Sequence, residues 1–474
     1  MIQLPEFYHI LPLLIITIGA LLTLIVEIVL KDNKSAVLGV SIAAILGALA
    51  TSFIDLNKDL ILFNNFFKLN NTSITFTVTI LVAMFITIIA AKSYIEKLQI
   101  NFGEFYSLLL FALMGMFLMI MGNDILIIFI GLELMSICFY VLSGFLRMRK
   151  KSNESAIKYF LLGAFMTGFI LFGISMIYGM TGSTNLTVIY SSFDSFKNPI
   201  FMIGVGLYLI GFMFKMGVFP FHMWIPDVYD GAPTIVSGMM STAGKIAAVG
   251  TILPFILSLN IPEFKMVFSV LAVVTMLFGN VIALAQTNIK RLLAYSSIAS
   301  AGYILVGFAA MNDLSLKGVM YYLIAYIFMQ LGAFIVVSII EKRSADNKDF
   351  ANIDLNNYKG LAKKNPVLAV FMTIFLFSLA GIPPFAGFWG KYYLFYAAIK
   401  ANLIWLSIIG IMLSIVSIYY YLKVIVYMWF SESEVDERIN FSGLGYAAVV
   451  IAIIGTLVFG VYPSLFFTIF GLNA

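Results

Sequence analysis

The sequence predicts an all-α integral membrane protein of about fourteen transmembrane helices, forming one polytopic domain over 1–474. Three observations lead there. Hydrophobic residues make up 62% of the chain and charged residues 11%, whereas soluble domains carry about a quarter charged residues. Apolar runs of about 20 residues, the length that crosses a ~30 Å hydrocarbon layer, recur along the whole chain. The connecting loops are too short for a soluble domain; the longest, 341–365, is polar and carries charges of both signs.

Taken in order, the predicted spans are 10–30, 36–54, 74–91, 105–122, 124–146, 154–178, 200–219, 234–258, 264–286, 289–310, 316–340, 366–400, 403–429 and 444–467. They are called helices one to fourteen below. No Lys or Arg precedes the first apolar run, which is also too long for an h-region, so no cleaved signal peptide is expected. Asn123 and Asp124 are expected to cap the start of helix five. Loops after odd-numbered helices hold Lys31, Lys34, Lys92, Lys97, Arg147, Arg149, Lys150, Lys151, Lys290, Arg291, Lys342, Arg343, Lys348, Lys359, Lys363, Lys364 and Arg438. Loops after even-numbered helices hold only Lys58, Lys68, Lys197, Lys265, Lys317 and Lys400. The positive-inside rule places the first set in the cytoplasm and both termini outside, which requires an even number of spans.

Two spans are interrupted. Helix seven ends in MFKMGVFPFHMWIP, and helix twelve contains LAGIPPFAGFWGKYY. Each is an apolar helix broken by Gly and Pro with one lysine beside the break. Prolines at membrane depth free backbone groups that only protein or a wet cavity can satisfy. The two breaks lie five helices apart, and a repeat of odd length would set its copies in opposite topology. Paired broken segments of this kind point to an ion path.

Charged side chains inside the apolar runs carry the chemistry. An ionised lysine near the bilayer centre costs roughly 2.5–3.5 kcal/mol on insertion scales, an expense that a plain anchor avoids. Lys245 stands eleven residues into helix eight, roughly 16 Å along its axis and near mid-membrane. An amine held there can lose and regain a proton as the charges around it change. Glu133, nine residues into helix five, lies at similar depth, and an ion pair with Lys215 is its economical assignment; the alternatives are a protonated Glu133 bonded to a neighbouring helix and a Lys215 that snorkels to the interface. Opening that pair would act electrostatically on Lys245. Lys391 follows Pro383-Pro384 and is placed for an exit. Lys158 has Glu154 at i−4, the favourable order for a helix pair, so snorkelling to the interface is its rival role. Lys423 is an expected interface anchor. Glu27 would face a partner subunit or the interface. His222 would either titrate near neutral pH or cap carbonyls freed at the helix-seven break.

The chain has one cysteine, Cys138, and two histidines, His9 and His222. That excludes a disulfide framework and a cysteine-ligated zinc or iron–sulfur site within it. No cofactor or metal site is expected here, and electrons, if any move, belong to another subunit. Nothing points to nucleic acid; the lipid bilayer is the expected surroundings.

The runs PFHMWIPDVYDGAPTIVSGMMSTAGKIA, NIKRLLAYSSIASAGY and AGIPPFAGFWGKYYLF resemble the antiporter-like membrane subunits of respiratory complex I. The likeness covers nearly all fourteen helices. The PDVYDGAPT form and Lys391 fit the N-type branch of that family, and the long C-terminal extension of the L-type is not expected. The resemblance implies a proton-translocating subunit with two inverted five-helix repeats, helices four to eight (104–258) and nine to thirteen (263–430). The remaining helices, over 1–92 and 444–468, would flank them. It implies Glu133, Lys158, Lys215, Lys245 and Lys391 as the charged, hydrated axis of translocation, with Glu154, His222 and Lys423 accessory. Ser300 stands where many relatives have histidine, which puts that histidine's role in doubt here. The resemblance further implies subunits M, K, J and A as neighbours. Quinone, NADH or another donor, FMN and iron–sulfur clusters would sit on partner chains. The bacterial inner membrane is the implied location. Two rival classes share Glu133, Lys215 and Lys245: a multi-component cation/proton antiporter, which operon neighbours would reveal, and a hydrogenase-type membrane complex, which quinone-linked activity would exclude. A purely structural scaffold gives no reason for mid-depth charges.

Overall fold

In lipid every backbone polar group must be satisfied within its own segment, so apolar runs of this length fold as helices. The computed structural model describes residues 6–30, 34–98, 103–192, 198–343, 350–351, 353–432 and 443–472. Lys31, Lys197, Lys348 and Arg438 of the orientation argument lie outside them. Among the described residues thirteen helices are long and apolar enough to cross a membrane. The expected helix twelve is the exception in length, because it is two half-helices, Pro366–Ala380 and Ala386–Lys400. Counting it as one span gives the fourteen predicted.

The helices differ sharply in how much they are covered. The apolar windows of helices three, ten and eleven are 89–94% buried, and that of helix eight 83%, against 28–33% for helices one, six and thirteen. Helices three, eight, ten and eleven therefore form a central column that is shielded from lipid, and this is where charge can be carried. Close backbone approach is bought with glycine between helices four and five: a Cβ on Gly115 would stand 2.6 Å from the Gly131 carbonyl oxygen.

Both breaks have the same backbone. Helix seven stops at Met216; Gly217 has φ +79° and the Val218 amide donates back to the Met213 carbonyl. In helix twelve Gly381 has φ +83° and the Ile382 amide donates to the Phe377 carbonyl. These are Schellman endings, and glycine suits their left-handed residue. A cis X-Pro bond follows at the same offset in each, Phe219-Pro220 and Pro383-Pro384. Helix seven then resumes as Trp224–Gly231.

Two π-helical turns were not foreseen. Met240–Gly244 interrupts helix eight directly before Lys245, and Ile327–Leu331 interrupts helix eleven directly after Tyr326. The turns pack on one another. Outside the helices, Leu60–Leu62 and Phe67–Leu69 form a small antiparallel hairpin. Asp124 caps helix five as expected, accepting from the Leu126 amide at 2.8 Å. Asn123 does not: its side chain donates to the Asn65 carbonyl and the Thr187 hydroxyl, tying the hairpin to the loop before helix seven.

Candidate functional site

Lys245 is 1% exposed. Its Nζ donates to the Ser297 carbonyl at 2.5 Å and to Ser297 Oγ at 2.7 Å, both on helix ten. The Tyr326 ring of helix eleven lies 5.3 Å away. The extra residue in the preceding π turn rotates everything after it by about 100° relative to an unbroken α-helix. That rotation aims Lys245 at helices ten and eleven, which is why π turns recur at functional sites.

Lys391 is buried on the second half of helix twelve. Its Nζ donates to the Ala380 carbonyl at 3.1 Å and to Ser414 Oγ at 2.8 Å, with the Tyr303 ring 4.9 Å below it. Ala380 ends the first half-helix, so its carbonyl is an orphan at the negative end of a dipole, a favourable place for a cation. A Cβ on Gly381 would approach Lys391 Cδ to 3.0 Å, so the glycine serves both the turn and the lysine. A cavity of about 450 Å³ opens beside Lys391, lined by Gly381, Phe388, Tyr396 and Ser414 among others.

A buried polar line joins the two lysines. Ser296, next to Ser297, shares a 2.5 Å hydrogen bond with the Tyr421 hydroxyl. The Tyr421 and Tyr420 rings are 4.5 Å apart. The Tyr420 hydroxyl donates to Asn280 Oδ1 at 3.0 Å, and Asn280 Nδ2 donates to the Tyr303 hydroxyl at 3.4 Å. Tyr303 is the ring beneath Lys391. None of these groups stood out in the sequence, because hydroxyls are common in membrane helices and these come from helices nine, ten and thirteen.

The Glu133–Lys215 ion pair is not formed. Glu133 Oε1 accepts from Thr167 on helix six at 2.8 Å. Lys215 is buried in an aromatic cage, 5.1–5.5 Å from the ring centres of Tyr140, Tyr159 and Phe214. Its Nζ reaches the Tyr140 hydroxyl at 3.5 Å. Tyr159 in turn stacks on Trp224, 4.3 Å between ring centres. Tyr140 lies two turns after Glu133 on the same helix, and it is Tyr140 that meets Lys215. The ring faces replace the carboxylate as the cation's partner.

Lys158 is not a mid-membrane lysine in isolation. Helix six begins at Lys150, and Lys158 pairs with Glu154 and with Asp227, both at 2.7 Å. Arg291 Nη1 joins Asp227 from helix ten at 2.9 Å. Asp227 thereby clasps the second half of helix seven to helices six and ten. His222 does not cap the break: its Nδ1 finds no hydrogen-bond partner among the described residues, and its ring stacks on Phe219 at 5.4 Å. At the break Trp224 Nε1, not His222, donates to a helix-end carbonyl, that of Phe214 at 2.9 Å. Glu27 pairs with Lys34 of helix two. Lys423 is half-buried in the last third of helix thirteen, Ile404–Phe430.

Residues 122–417 match the family model described as NADH:quinone oxidoreductase/Mrp antiporter, transmembrane. The chain is 42% identical over 455 residues to NADH-quinone oxidoreductase subunit N of Trichlorobacter lovleyi, covering 94% of this chain and 92% of that protein. The chain belongs to the subunit N family. It is also 38% identical to subunit N 2 of Rhizobium meliloti over 96% of its length. Among solved structures it resembles a chain of respiratory complex I from Thermus thermophilus, with TM-score 0.81, 31% identity and 96% of this chain covered against 98% of that one. A chain of the Mrp complex from Dietzia has the same fold, with TM-score 0.83 at 20% identity, covering 97% of this chain and 96% of that one. Membership of the subunit N family makes the protein a multi-pass membrane subunit of NADH-quinone oxidoreductase and a part of its proton-translocating arm.

Proposed function

We propose that this chain moves protons from the cytoplasm to the outside through Lys245 and Lys391. The observation that supports the reading is that both amines are buried and held, among the described residues, by neutral oxygens and a tyrosine ring each, and that a buried polar line runs between them. A cation without a carboxylate partner responds strongly to charge arriving from elsewhere. Serine, tyrosine and asparagine groups along the line offer the two to four polar partners that an internal water needs, so they can hold water between the lysines. Lys215 and Glu133 are the groups through which that charge arrives, with Tyr140 between them. Lys158, with Glu154, belongs to the clasp on Asp227 and acts on the path through position. The two repeats, 104–258 and 263–430, carry one break each, with Lys215 and Lys245 buried in the first and Lys290 and Lys391 in the second. Both termini lie outside, in the bacterial inner membrane. The quinone site, FMN, iron–sulfur clusters and the NADH site belong to partner subunits, and subunits M, K, J and A are the neighbours this reading places beside the chain.

The test is Lys245→Met in the assembled complex. Assembly is expected to persist while coupled quinone reduction and pumping fall by at least about tenfold, as for loss of a proton-transfer group. Full pumping by that variant would overturn the assignment. Purification of the tagged chain tests the assembly itself: iron–sulfur and quinone-site partners with quinone reductase activity support it, and antiporter subunits alone would move the chain to the other class.

A further inference from the structure

At the end of the central column that the loop charges assign to the cytoplasm stands a carboxyl group that the path described above does not use. Glu341 follows the last residue of helix eleven and is fully buried. Its Oε2 accepts from Thr234 Oγ1 at 2.5 Å and from the Tyr94 hydroxyl at 3.1 Å. Its Oε1 is buried and has no hydrogen-bond partner among the described residues. A carboxylate at a helix C-terminus is set against the dipole of its own helix. It faces instead the first residue of helix eight, Thr234, where negative charge is favoured.

The charged and titratable groups around it come from every neighbouring element. They are Lys290 of helix ten, Arg149 between helices five and six, and Lys97 and Tyr94 of helix three. Tyr358 of the loop after helix eleven faces it too. Lys290 donates to the carbonyls of Asp230 and Ala232, and Lys97 to those of Ser338 and Ile339. Burial pushes the Glu341 carboxyl above the ordinary carboxylate range, and Lys290, Thr234 and Arg149 only partly offset it.

From Glu341 a stripe of hydroxyls leads to Lys245. Thr234, Ser237 and Ser241 are spaced three and four residues apart, with Lys245 four further on, and all three hydroxyl residues are fully buried. Thr234, Ser237 and Ser241 thus fall one per turn on one face, and the π turn that holds Ser241 carries the chain to Lys245, roughly 16 Å along the axis from Thr234. On the opposing helix eleven, Gln330 Oε1 and the Tyr326 hydroxyl are also buried without a partner among the described residues. Buried polar atoms of this kind are usually satisfied by internal water.

We propose that Glu341 is the cytoplasmic intake group for Lys245 and that Thr234, Ser237 and Ser241 mark the route between them. The inference rests on the reading that Lys245 carries protons. The carboxylate takes one proton at Oε1, because both donors already occupy Oε2; Oε1 is itself buried, so the proton arrives through internal water that exchanges with the cytoplasm. The acid then releases that proton into the hydroxyl and water stripe, where each oxygen accepts one proton and gives one up. The neutral Lys245 amine receives it as ammonium, and the carboxylate is restored.

The experiment compares Glu341→Gln, Glu341→Asp and Lys245→Met in the assembled complex reconstituted into vesicles. Glutamine keeps an acceptor for Thr234 and Tyr94 but cannot carry the proton. Its pumping is expected to fall at least about tenfold and to lose its dependence on cytoplasmic pH, while aspartate keeps that dependence. Wild-type pumping in Glu341→Gln beside a defective Lys245→Met overturns the intake and leaves Lys245 standing. Wild-type pumping in both overturns the two together. Should Glu341→Gln not assemble, the double substitution Ser237→Ala/Ser241→Ala cuts the stripe without touching the cluster, and undiminished pumping there overturns the route.

Discussion

A lysine that relays protons and a lysine that only supplies charge are separated by arginine. Arginine keeps the positive charge but does not give up its proton in a protein. At Lys245 and Lys391 the relay reading therefore expects Lys→Arg to be as damaging as Lys→Met, with pumping down at least about tenfold in each. Pumping assays on the four assembled variants check this, and arginine rescue at either site would reduce that lysine to an electrostatic part. Lys391→Arg has an additional obstacle, since Gly381 already lies against the lysine stem. The lysines were legible in the sequence because a charge in an apolar run is expensive wherever the helix packs. Their partners were not, since Ser297, Tyr326, Ser414 and Tyr303 look like any other small or aromatic residue of a membrane helix. The same blindness produced the expected Glu133–Lys215 pair: two opposite charges at mid-depth attract, but nothing in the residue order shows the Tyr140 hydroxyl against Lys215.

Elements decide where those side chains point. Helix eight was legible in position and length, and so were the breaks of helices seven and twelve, because Gly and Pro announce them. The π turn Met240–Gly244 was not legible, since MSTAG contains no residue that forbids an α-helix. Deleting Ala243 should restore an uninterrupted α-helical ladder and turn the stretch before it by about 100° relative to Lys245. Insertion and helix content are expected to survive while pumping is lost; a deletion variant that pumps normally would remove the turn from the mechanism. The second half of helix seven depends on Asp227 in a different way. Burial alone would raise this carboxyl, but the hydrogen bonds from Lys158 and Arg291 outweigh it and hold it below the usual carboxylate range. The clasp thus contributes fully above the ordinary carboxyl value and is lost as pH falls through the depressed one. Asp227 is 39% exposed, so solvent screening limits the effect, and Asp227→Asn is expected to cost about 1 kcal/mol at neutral pH. A melting point for the solubilised complex lowered by a few degrees, with assembly retained, checks this; an unchanged one would make the ion pairs ornamental.

For the whole molecule, the span count and the direction of transport are one question. Thirteen full-length spans alone would place the termini on opposite sides of the membrane. Counting the two half-helices of twelve as one crossing gives fourteen and returns the chain to the side on which it began. The loop charges are consistent only with the second count: Lys359, Lys363 and Lys364 precede helix twelve, and Lys400 alone follows it. If helix twelve did not cross, helix thirteen would run in the reverse direction. The orientation of Lys391 and its cavity relative to Lys245 would then be inverted, and intake and exit would open on the same face. Cysteine labelling separates the cases cleanly because the native Cys138 is buried. Asp59→Cys, in the exposed loop after helix two, is expected to react with a membrane-impermeant maleimide from the outside. Asn357→Cys, exposed in the loop before helix twelve, should react only from the cytoplasmic side, and Lys400→Cys, at the end of helix twelve, only from the outside. Reaction of positions 357 and 400 from the same side would show that helix twelve is re-entrant, and would overturn the outward path through Lys391 even if every lysine substitution abolished pumping.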